Sequence, residues 1–346
     1  MLLPKISEID VSGKKVIVRA DLDVGSESEN DLRLKAVAPT LKYLLEKNSR
    51  VIIIGHRGRP EGKVNNEYSL KPVCDLLSKL INKEIKFVYD IAGVEAKTES
   101  DNLKDGEVIM LENLRFDSRE ESNDEEFSKN IAALGEIYVN EAFGVSHRNH
   151  SSIVGVPKLL PHVAGLNFEK EVENLSRVFE NPDRPLIILL SGIKEDKLKM
   201  IEPLSQLADK VLVGGRLPEL VGDAGLESIR LQDDSKKVLV GNLNMDKEDI
   251  TLNTVDRFVL EINKAKMIVL AGVLGKYEDE GHRQGTEKVF KAVANSSAYK
   301  IVGGGDSLNA ILMFNISEQF DWVSVGGGAM VQFLTQKTLP GIESLK

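Results

Sequence analysis

The stretch KIVGGGDSLNAI, residues 300–311, is the part of the sequence that most clearly indicates the fold. Its β-branched start indicates a strand, its three glycines a loop without side chains, and Asp306 and Ser307 the first turn of a helix. The free N–H groups and the positive dipole end of such a helix suit a phosphate group. Asp306 stands where a hard cation such as Mg²⁺ could be held beside that phosphate. The same residues would also form an ordinary glycine turn with a helix cap.

A second strand–glycine–helix passage, WVSVGGGAMVQFL, follows at residues 322–334, and two such passages in one half of the chain favour phosphate binding. Strand-like runs alternate with helical ones along the whole chain, and the runs are almost continuously apolar. This alternation predicts an α/β fold in which parallel sheets are covered by helices on both faces. We expect strands at residues 15–18, 50–54, 85–88, 107–111, 136–139, 185–190, 210–213, 237–240, 266–270, 299–302 and 322–325.

The length of 346 residues suggests two domains. A long helical pattern at residues 167–179, followed by the turn NPDRP, marks the junction between them. We therefore expect a first lobe of residues 1–165, an interdomain helix of residues 166–182 and a second lobe of residues 183–335. We expect residues 336–346 to form a C-terminal tail that is grouped with the first lobe.

Composition narrows the classes of function and location. The net charge of −9 argues against nonspecific nucleic-acid binding. No apolar run is long enough to span a bilayer, and the N-terminus lacks the layout of a signal peptide. A single cysteine, Cys74, excludes an internal disulfide, so a cytoplasmic location is the simplest expectation.

Cationic and hydrogen-bonding side chains follow the predicted strands of the first lobe, where ligands of open parallel sheets bind. They are Arg33, His56, Arg59, Arg115 and Arg148. Arginine forks bind carboxylate or phosphate groups, so four arginines and one histidine at the same sheet edge of an acidic protein predict an anion site. His147 and His150 could ligate a metal, but no carboxylate at a suitable spacing supports that alternative.

The second lobe offers a different set of groups at its strand ends: backbone N–H groups of glycines, Lys194 and Asp306. These predict a site for nucleotide phosphates and Mg²⁺. The chain contains no GxxxxGK[ST] motif, which excludes a P-loop, and no GxGxxG after the first strand, which leaves a dinucleotide dehydrogenase poorly supported.

Several long motifs resemble those of the phosphoglycerate kinase family. In the first half they are VRADLDV (18–24), GHRGRP (55–60), LENLRF (111–116) and VNEAFGVSHRNHSS (139–152). In the second half they are GGGDS (303–307) and VSVGGGAMVQFL (323–334) with the ending KTLPGI (337–342). The resemblance implies two Rossmann-like lobes, a tail that returns to the first lobe, and a monomer.

The resemblance also implies an activity, which is reversible transfer of a phosphoryl group between 1,3-bisphosphoglycerate and ADP with Mg²⁺, in glycolysis. For the glycerate ligand it implies Asp21, Asp23, Arg33, His56, Arg59, Arg115 and Arg148. For the nucleotide it implies Lys194, Lys197, Gly214, Glu278, Gly304, Gly305, Asp306 and Ser307, with Asp306 on the metal. Its catalytic residues would be Arg33, Lys194 and Gly327, brought together when the two lobes close.

Departures from the family pattern lie mainly in the second lobe. SGIKEDK (191–197) replaces GGAKVxxK, Ala271 replaces an asparagine, and several dozen residues are missing between residues 215 and 266. Two alternatives therefore stay open: a diverged kinase with another nucleotide or acyl phosphate, and a non-catalytic anion-binding paralogue. The presence of Lys194 and Asp306 favours an enzyme.

Two departures in the first lobe suggest a compensating pair. Asp23 replaces a neutral asparagine, and Arg57 replaces an apolar residue. Because a carboxylate beside an anionic ligand is unfavourable, we expect Asp23 and Arg57 to form an ion pair.

Overall fold

A computed structural model of the protein describes residues 2–25, 31–223 and 237–346. The chain folds into two compact units, residues 1–173 with 338–346, and residues 174–337. We call them unit 1 and unit 2. Each contains one six-stranded sheet, and every strand pairing in both sheets is parallel. The predicted α/β class with two parallel sheets is confirmed.

Unit 1 has the strand order β3-β4-β2-β1-β5-β6. Its strands are β1 Lys15–Ala20, β2 Arg50–Ile54, β3 Lys86–Val88, β4 Val108–Leu111, β5 Ile137–Glu141 and β6 His162–Ala164. Its helices are α1 Leu32–Glu46, α2 Lys71–Ile81, α3 Val94–Asn102, α4 Ser118–Glu121 and α5 Glu125–Ala132. Helix α6 Leu166–Glu180 contains the boundary between the units.

Unit 2 has the strand order β12-β11-β10-β7-β8-β9. Its strands are β7 Leu186–Gly192, β8 Lys210–Gly215, β9 Val238–Val240, β10 Met267–Ala271, β11 Tyr299–Gly303 and β12 Trp322–Ser324. Its helices in the described residues are α7 Leu198–Leu207, α8 Leu217–Asp223, α9 Leu252–Ile262, α10 Gln284–Asn295, α11 Gly305–Met313 and α12 Gly328–Gln336.

The strands are buried along nearly their whole length, as sheets covered on both faces require. In β1, Val16, Ile17 and Val18 are all fully buried. Helix α1 packs on this sheet through Leu34, Leu41 and other apolar residues at helical spacing. The hydrophobic core of unit 1 therefore lies between β1 and its covering helices.

Several strands run further than their apolar patterns predict. Strand β1 continues to Ala20 because Arg19 pairs with Ile54 on one side and with Asn140 on the other. Strands β7 and β8 likewise include Gly192 and Gly215, which pair with each other. Arg19, Gly192 and Gly215, which were expected just beyond the strand ends, thus belong to the last paired positions of their strands. Their backbone positions are fixed by strand pairing rather than by a loop.

The C-terminal helix α13 Pro340–Glu343 belongs to unit 1, which confirms the predicted return of the tail. The N–H of Gly341 donates to the carbonyl of Ser146 at 2.8 Å, and the Ser344 hydroxyl donates to the carbonyl of Ile153 at 2.9 Å. A Cβ atom at Gly341 would lie 2.6 Å from the Ser146 Oγ, so only glycine permits this approach.

Candidate active site

Arg33 is held at the carboxyl end of the unit 1 sheet by the start of α1. Asp31 caps this helix, accepting a hydrogen bond from the Arg33 backbone N–H at 2.8 Å. The guanidinium donates to the carbonyl of Asp23, and its Nε lies 3.8 Å from the Asp21 Oδ2. Burial raises the pKa of Asp21, and the charge of Arg33 opposes that rise. Arg33 is thus a preplaced cation beside a buried carboxylate.

His56 follows β2 and is buried. Its Nδ1 lies 3.0 Å from an Nη2 nitrogen of Arg19. Burial lowers the pKa of His56 well below its ordinary value, and the charges of Arg19 and Arg115 lower it further. At neutral pH this ring is therefore uncharged, and it can contribute to an anion site only through a hydrogen bond.

Arg115 joins the same end of the sheet from the 3-10 helix Leu114–Phe116 after β4. Its Nη1 donates to the Gly58 carbonyl at 2.8 Å, which ties it to the loop after β2. Its Nε lies 3.1 Å from an oxygen of Glu121, and burial lowers the pKa of the guanidinium. Arg148 is exposed and lies near enough to Arg115 to lower that pKa further.

Four of the five predicted anion-binding residues are thus linked through their neighbours: Arg33 and Arg115 each lie near enough to His56 to lower its pKa, and Arg148 lies near Arg115. Arg59 lies in the loop after β2, is exposed, and contacts no hydrogen-bonding or charged partner among the described residues. We call these five residues the arginine site. Their roles toward a ligand remain a prediction.

His147 and His150 also lie beside this site. Burial lowers the pKa of His147 to about 4 and that of His150 to about 3, so both rings are neutral at pH 7. Within the described part of the chain, no three His, Cys, Asp or Glu residues are grouped closely enough to hold a metal ion.

The predicted ion pair between Asp23 and Arg57 is wrong. Arg57 donates to the carbonyls of Val24 at 3.0 Å, Glu67 at 2.9 Å and Ser69 at 3.2 Å. Asp23 instead accepts a hydrogen bond from the Gly58 N–H at 2.8 Å. Loop carbonyls accept the hydrogen bonds of the guanidinium, and a backbone N–H donates to the carboxylate. Each side chain is therefore hydrogen-bonded without an ion pair between the two.

Sequence reasoning missed three residues that support the arginine site: Arg19, Glu120 and Ser152. All three are buried, and hydrogen bonds connect them from Glu120 through Ser152 to Arg19. No local pattern marks them, because Glu120 lies within the polar run DSREESNDEE, residues 117–126, and Ser152 ends the polar run HRNHSS, residues 147–152.

The two glycine loops of unit 2 meet at the carboxyl end of its sheet. Gly304 and Gly327 have φ angles of 107° and 43°, and a Cβ on Gly327 would lie 3.4 Å from the Gly304 Cα. A Cβ on Gly305 or Gly328 would meet no heavy atom within 4 Å, so the backbone there faces open space. We call these loops and the lysines described next the glycine site.

Lys194 and Lys197 follow β7 but have different surroundings. Lys194 is exposed, whereas the Lys197 ammonium donates to the carbonyl of Ser191. Burial lowers the pKa of Lys197, and the charges of Asp196 and Asp306 oppose that shift. The short loop therefore holds one lysine against the strand end and leaves the other free to approach a ligand.

The remaining predicted nucleotide residues surround the start of α11. Asp306 is exposed in its first turn, and Tyr277 lies close to both Asp306 and the exposed Glu278. Burial raises the pKa of Tyr277 to about 12, and the charge of Glu278 raises it further. The Ser307 hydroxyl is buried and accepts a hydrogen bond from the Gly272 N–H at 3.0 Å. Ser307 therefore offers a ligand its backbone rather than its side chain.

Gly214 is buried in β8, where a Cβ would lie 2.1 Å from a methyl carbon of Leu274. Packing alone thus requires glycine at this position, and its predicted nucleotide contact stays a prediction.

The sheet of unit 1 gathers arginines at its strand ends, and the sheet of unit 2 ends in open glycine loops beside lysines. These features together indicate that the protein is a phosphotransferase. The sequence model of the family described as phosphoglycerate kinase matches residues 6–225 and 223–337. The chain belongs to the phosphoglycerate kinase family.

Individual relatives agree with this assignment. The phosphoglycerate kinase of Coprothermobacter proteolyticus is 37% identical over 389 residues, which cover 100% of this chain and 99% of the relative. That of Thermomicrobium roseum is 37% identical over 385 residues and 98% of each chain. Both alignments are longer than this chain of 346 residues, so the relatives carry residues that it lacks.

Solved structures of the same family share the fold. The phosphoglycerate kinase of Coxiella burnetii superposes with a TM-score of 0.82 at 32% identity, covering 99% of both chains. That of Pyrococcus horikoshii gives a TM-score of 0.86 at 29% identity, covering 99% of this chain and 98% of the other.

The chain is therefore an enzyme and a kinase of glycolysis, and the comparisons do not favour either alternative left open by the sequence. In the described residues, no helix has both the length and the apolar character needed to cross a membrane. Several dozen residues of the family pattern are predicted to be missing between residues 215 and 266. Part of that stretch of this chain, residues 224–236, lies outside the described residues.

Proposed function

We propose that the arginine site binds 3-phosphoglycerate or 1,3-bisphosphoglycerate and that the glycine site binds ADP or ATP. The observation that carries this proposal is the gathering of Arg33, His56, Arg115 and Arg148 at one sheet end of a protein with a net charge of −9. Cations concentrated against the overall field select a ligand with several negative charges. Asp21 and Asp23 lie beside Arg33 and would face the same ligand.

The reaction needs alignment and charge neutralisation more than a strong base. Transfer between an acyl phosphate and ADP joins groups that are already anionic. In our proposal the exposed Lys194 and the N–H groups near Gly327 stabilise the charge on the migrating phosphoryl group, and Arg33 holds the glycerate carboxylate in line. Lys197, Glu278, Gly304 and Gly305 would bind the nucleotide.

The residues of the glycine site fit a magnesium ion that is held mainly by nucleotide phosphates. Mg²⁺ usually keeps several waters and takes one or two protein carboxylates. Asp306 is one exposed carboxylate in the first turn of α11, beside the open glycine loops. When bound, the ion would neutralise charge on the transferred group.

We also propose that the protein acts as a monomer in the cytoplasm and binds no nucleic acid. The single, buried cysteine supports a reducing compartment, and the negative net charge supports the absence of nucleic-acid binding. Sedimentation of the purified protein would test the monomer.

A coupled assay tests the proposed function against its alternatives. Purified protein is given 3-phosphoglycerate with MgATP or MgGTP, and acetate replaces 3-phosphoglycerate as a second acceptor. We expect turnover with 3-phosphoglycerate and none with acetate. Turnover confined to acetate would identify a diverged kinase, and the absence of any turnover would identify a non-catalytic paralogue.

We predict that nucleotide binding has little base selectivity. Ala271, buried at the end of β10, has no polar side chain where the family has an asparagine. Pockets discriminate strongly only when they hydrogen-bond the group that differs. Calorimetry should therefore give dissociation constants for MgADP and MgGDP within about tenfold of each other, ~1.4 kcal/mol. A preference for MgADP of several hundredfold would contradict this.

We predict that Asp23→Asn tightens 3-phosphoglycerate binding. Asparagine keeps an oxygen that can accept the Gly58 N–H, and it removes a negative charge from the arginine site. We expect the KM for 3-phosphoglycerate to fall about fivefold, ~1 kcal/mol, because repulsion between like charges is lost. Asp75→Asn, an exposed change on α2, is the matched control. An unchanged KM in Asp23→Asn would show that this carboxylate does not face the ligand, and a higher KM would show that it helps to bind the ligand; either result would contradict the prediction.

A further inference from the structure

Arg19 is a fully buried cation, and each of its three guanidinium nitrogens has a partner within the protein. Its Nε donates to the Ser152 Oγ at 2.7 Å, and its Nη1 donates to the Ala20 carbonyl. Its Nη2 lies 3.0 Å from the His56 Nδ1. No part of Arg19 is exposed, so it does not bind a ligand directly, and a different reason is needed for placing a charge there.

Glu120 balances this charge through Ser152. Glu120 is fully buried; one carboxylate oxygen accepts the Ser152 hydroxyl at 2.6 Å and the other accepts the Ser152 backbone N–H at 3.0 Å. Because Arg19 can only donate, the Ser152 oxygen must accept from it, which leaves the hydroxyl hydrogen for Glu120. The direction of every hydrogen bond in the chain from Glu120 to Arg19 is thereby fixed.

The same reasoning fixes the proton on His56. A guanidinium has five N–H donors and no acceptor, so the nitrogen that faces it must offer a lone pair. Nδ1 is that nitrogen, and the single hydrogen of the neutral ring must then lie on Nε2. An imidazolium would point a second N–H at Arg19 and is disfavoured for the same reason.

We propose that Arg19 is a positioning residue that fixes His56 as the neutral Nε2–H tautomer, so that the ring gives the bound glycerate a hydrogen-bond donor. The inference rests on the proposed function of the arginine site. In the other tautomer, Nε2 would present a lone pair to an anionic oxygen, and the contact would be repulsive. Arg19 thus acts on the ligand through the proton that it places on another side chain.

The tautomer can be measured without any ligand. The chain has five histidines, so ¹⁵N-histidine labelling gives few imidazole signals, and the signals lost in His56→Gln identify this ring. From pH 7 to pH 5.5 we expect an acceptor-type Nδ1 and a protonated Nε2. A protonated Nδ1, or an imidazolium in that range, would overturn the proposal whether or not the protein turns over 3-phosphoglycerate.

A variant series tests the consequence for the ligand. Arg19→Met is combined with Glu120→Gln so that no buried carboxylate is left uncompensated, and Glu120→Gln alone is the matched control. We expect mixed tautomers and a KM for 3-phosphoglycerate raised at least about tenfold, since a hydrogen bond to a charged partner is lost. The kcat should change much less than the KM.

The His56→Gln background separates positioning from a general structural effect. Glutamine carries its own N–H donor and has no tautomers, so Arg19→Met with Glu120→Gln should add little to the KM there. A further tenfold rise in that background would overturn the proposal. If the combined variant does not fold, the tautomer of the unmodified protein decides. If the unmodified protein does not use 3-phosphoglycerate, the proposed function fails while the tautomer result stands.

Discussion

Replacing Lys194 by alanine should lower kcat by about 100-fold to 1000-fold while changing the dissociation constant for MgADP by less than about threefold. Lys194 is exposed beyond β7, and in our proposal it approaches the transferred phosphoryl group. A positive charge aimed at charge that develops in the transition state acts on kcat and little on binding. Single groups of this kind contribute about 2.7–4 kcal/mol. Steady-state kinetics and calorimetry on the same preparation give the two quantities.

Two other lysines make this result specific. Lys199→Ala, an exposed change in α7, should leave kcat within about twofold of the unmodified enzyme. Lys197→Ala removes the ammonium that contacts the Ser191 carbonyl and should mainly weaken nucleotide binding. If Lys197→Ala loses more kcat than Lys194→Ala does, the catalytic role belongs to Lys197.

Replacing Arg33 by alanine should lower kcat/KM for 3-phosphoglycerate by about 100-fold, ~2.7 kcal/mol. The guanidinium is preplaced by the start of α1 and by the carbonyl of Asp23, so a carboxylate meets a fork that is already oriented. Charge-assisted bonds of this geometry are about twice as strong as neutral ones. Arg33→Lys keeps the charge but not the fork, and it should recover only part of the loss.

The comparison requires that the Arg33→Ala variant still folds, and the structure indicates that it does. Asp31 caps α1 through the backbone N–H of residue 33, which every substitution except proline retains. Removing Arg33 also raises the pKa of the buried Asp21, because the opposing charge is gone. Lys35→Ala, an exposed change on the same helix, is the control and should be silent. A kcat/KM for Arg33→Ala within threefold of the control would remove Arg33 from the site.

The sequence predicted those parts of the fold whose signals are local. Helix α1 has a clear local signal, because Asp31 caps it and buried apolar residues recur at helical spacing. The glycine loops at residues 303–305 and 326–328 also have a clear sequence signal. Few residues other than glycine adopt the φ angles of Gly304 and Gly327.

Two elements of unit 1 gave no usable signal. Helix α3 has only Ala96 and Ser100 buried, so it lacks the apolar stripe that marks a helix in the sequence. Strand β6 has three residues, which is too short for a strand pattern, and it is held by pairing with β5 and by a single parallel bridge between Ala164 and Lys5. Both are held by tertiary contacts rather than by local preference.

For the arginine site, position along a strand predicted which residues lie at the same sheet end but not which partners their side chains contact. Arg33, His56, Arg115 and Arg148 could be grouped because parallel strands end on one side of a sheet. Which partner a long side chain chooses depends on nearby loop carbonyls, and for this reason the partners of Arg57 were predicted wrongly. Arg19 was expected past the end of β1, but pairing on both sides draws it into the buried sheet.

Trapping the acyl phosphate tests most directly that the arginine and glycine sites together transfer a phosphoryl group to 3-phosphoglycerate. The purified protein is incubated with MgATP, 3-phosphoglycerate and hydroxylamine, which converts an acyl phosphate into a stable hydroxamate. We predict hydroxamate in an amount equal to the ADP formed, only when both substrates are present, and far less with Lys194→Ala. ADP formed without hydroxamate, or at a rate independent of 3-phosphoglycerate, would contradict this assignment.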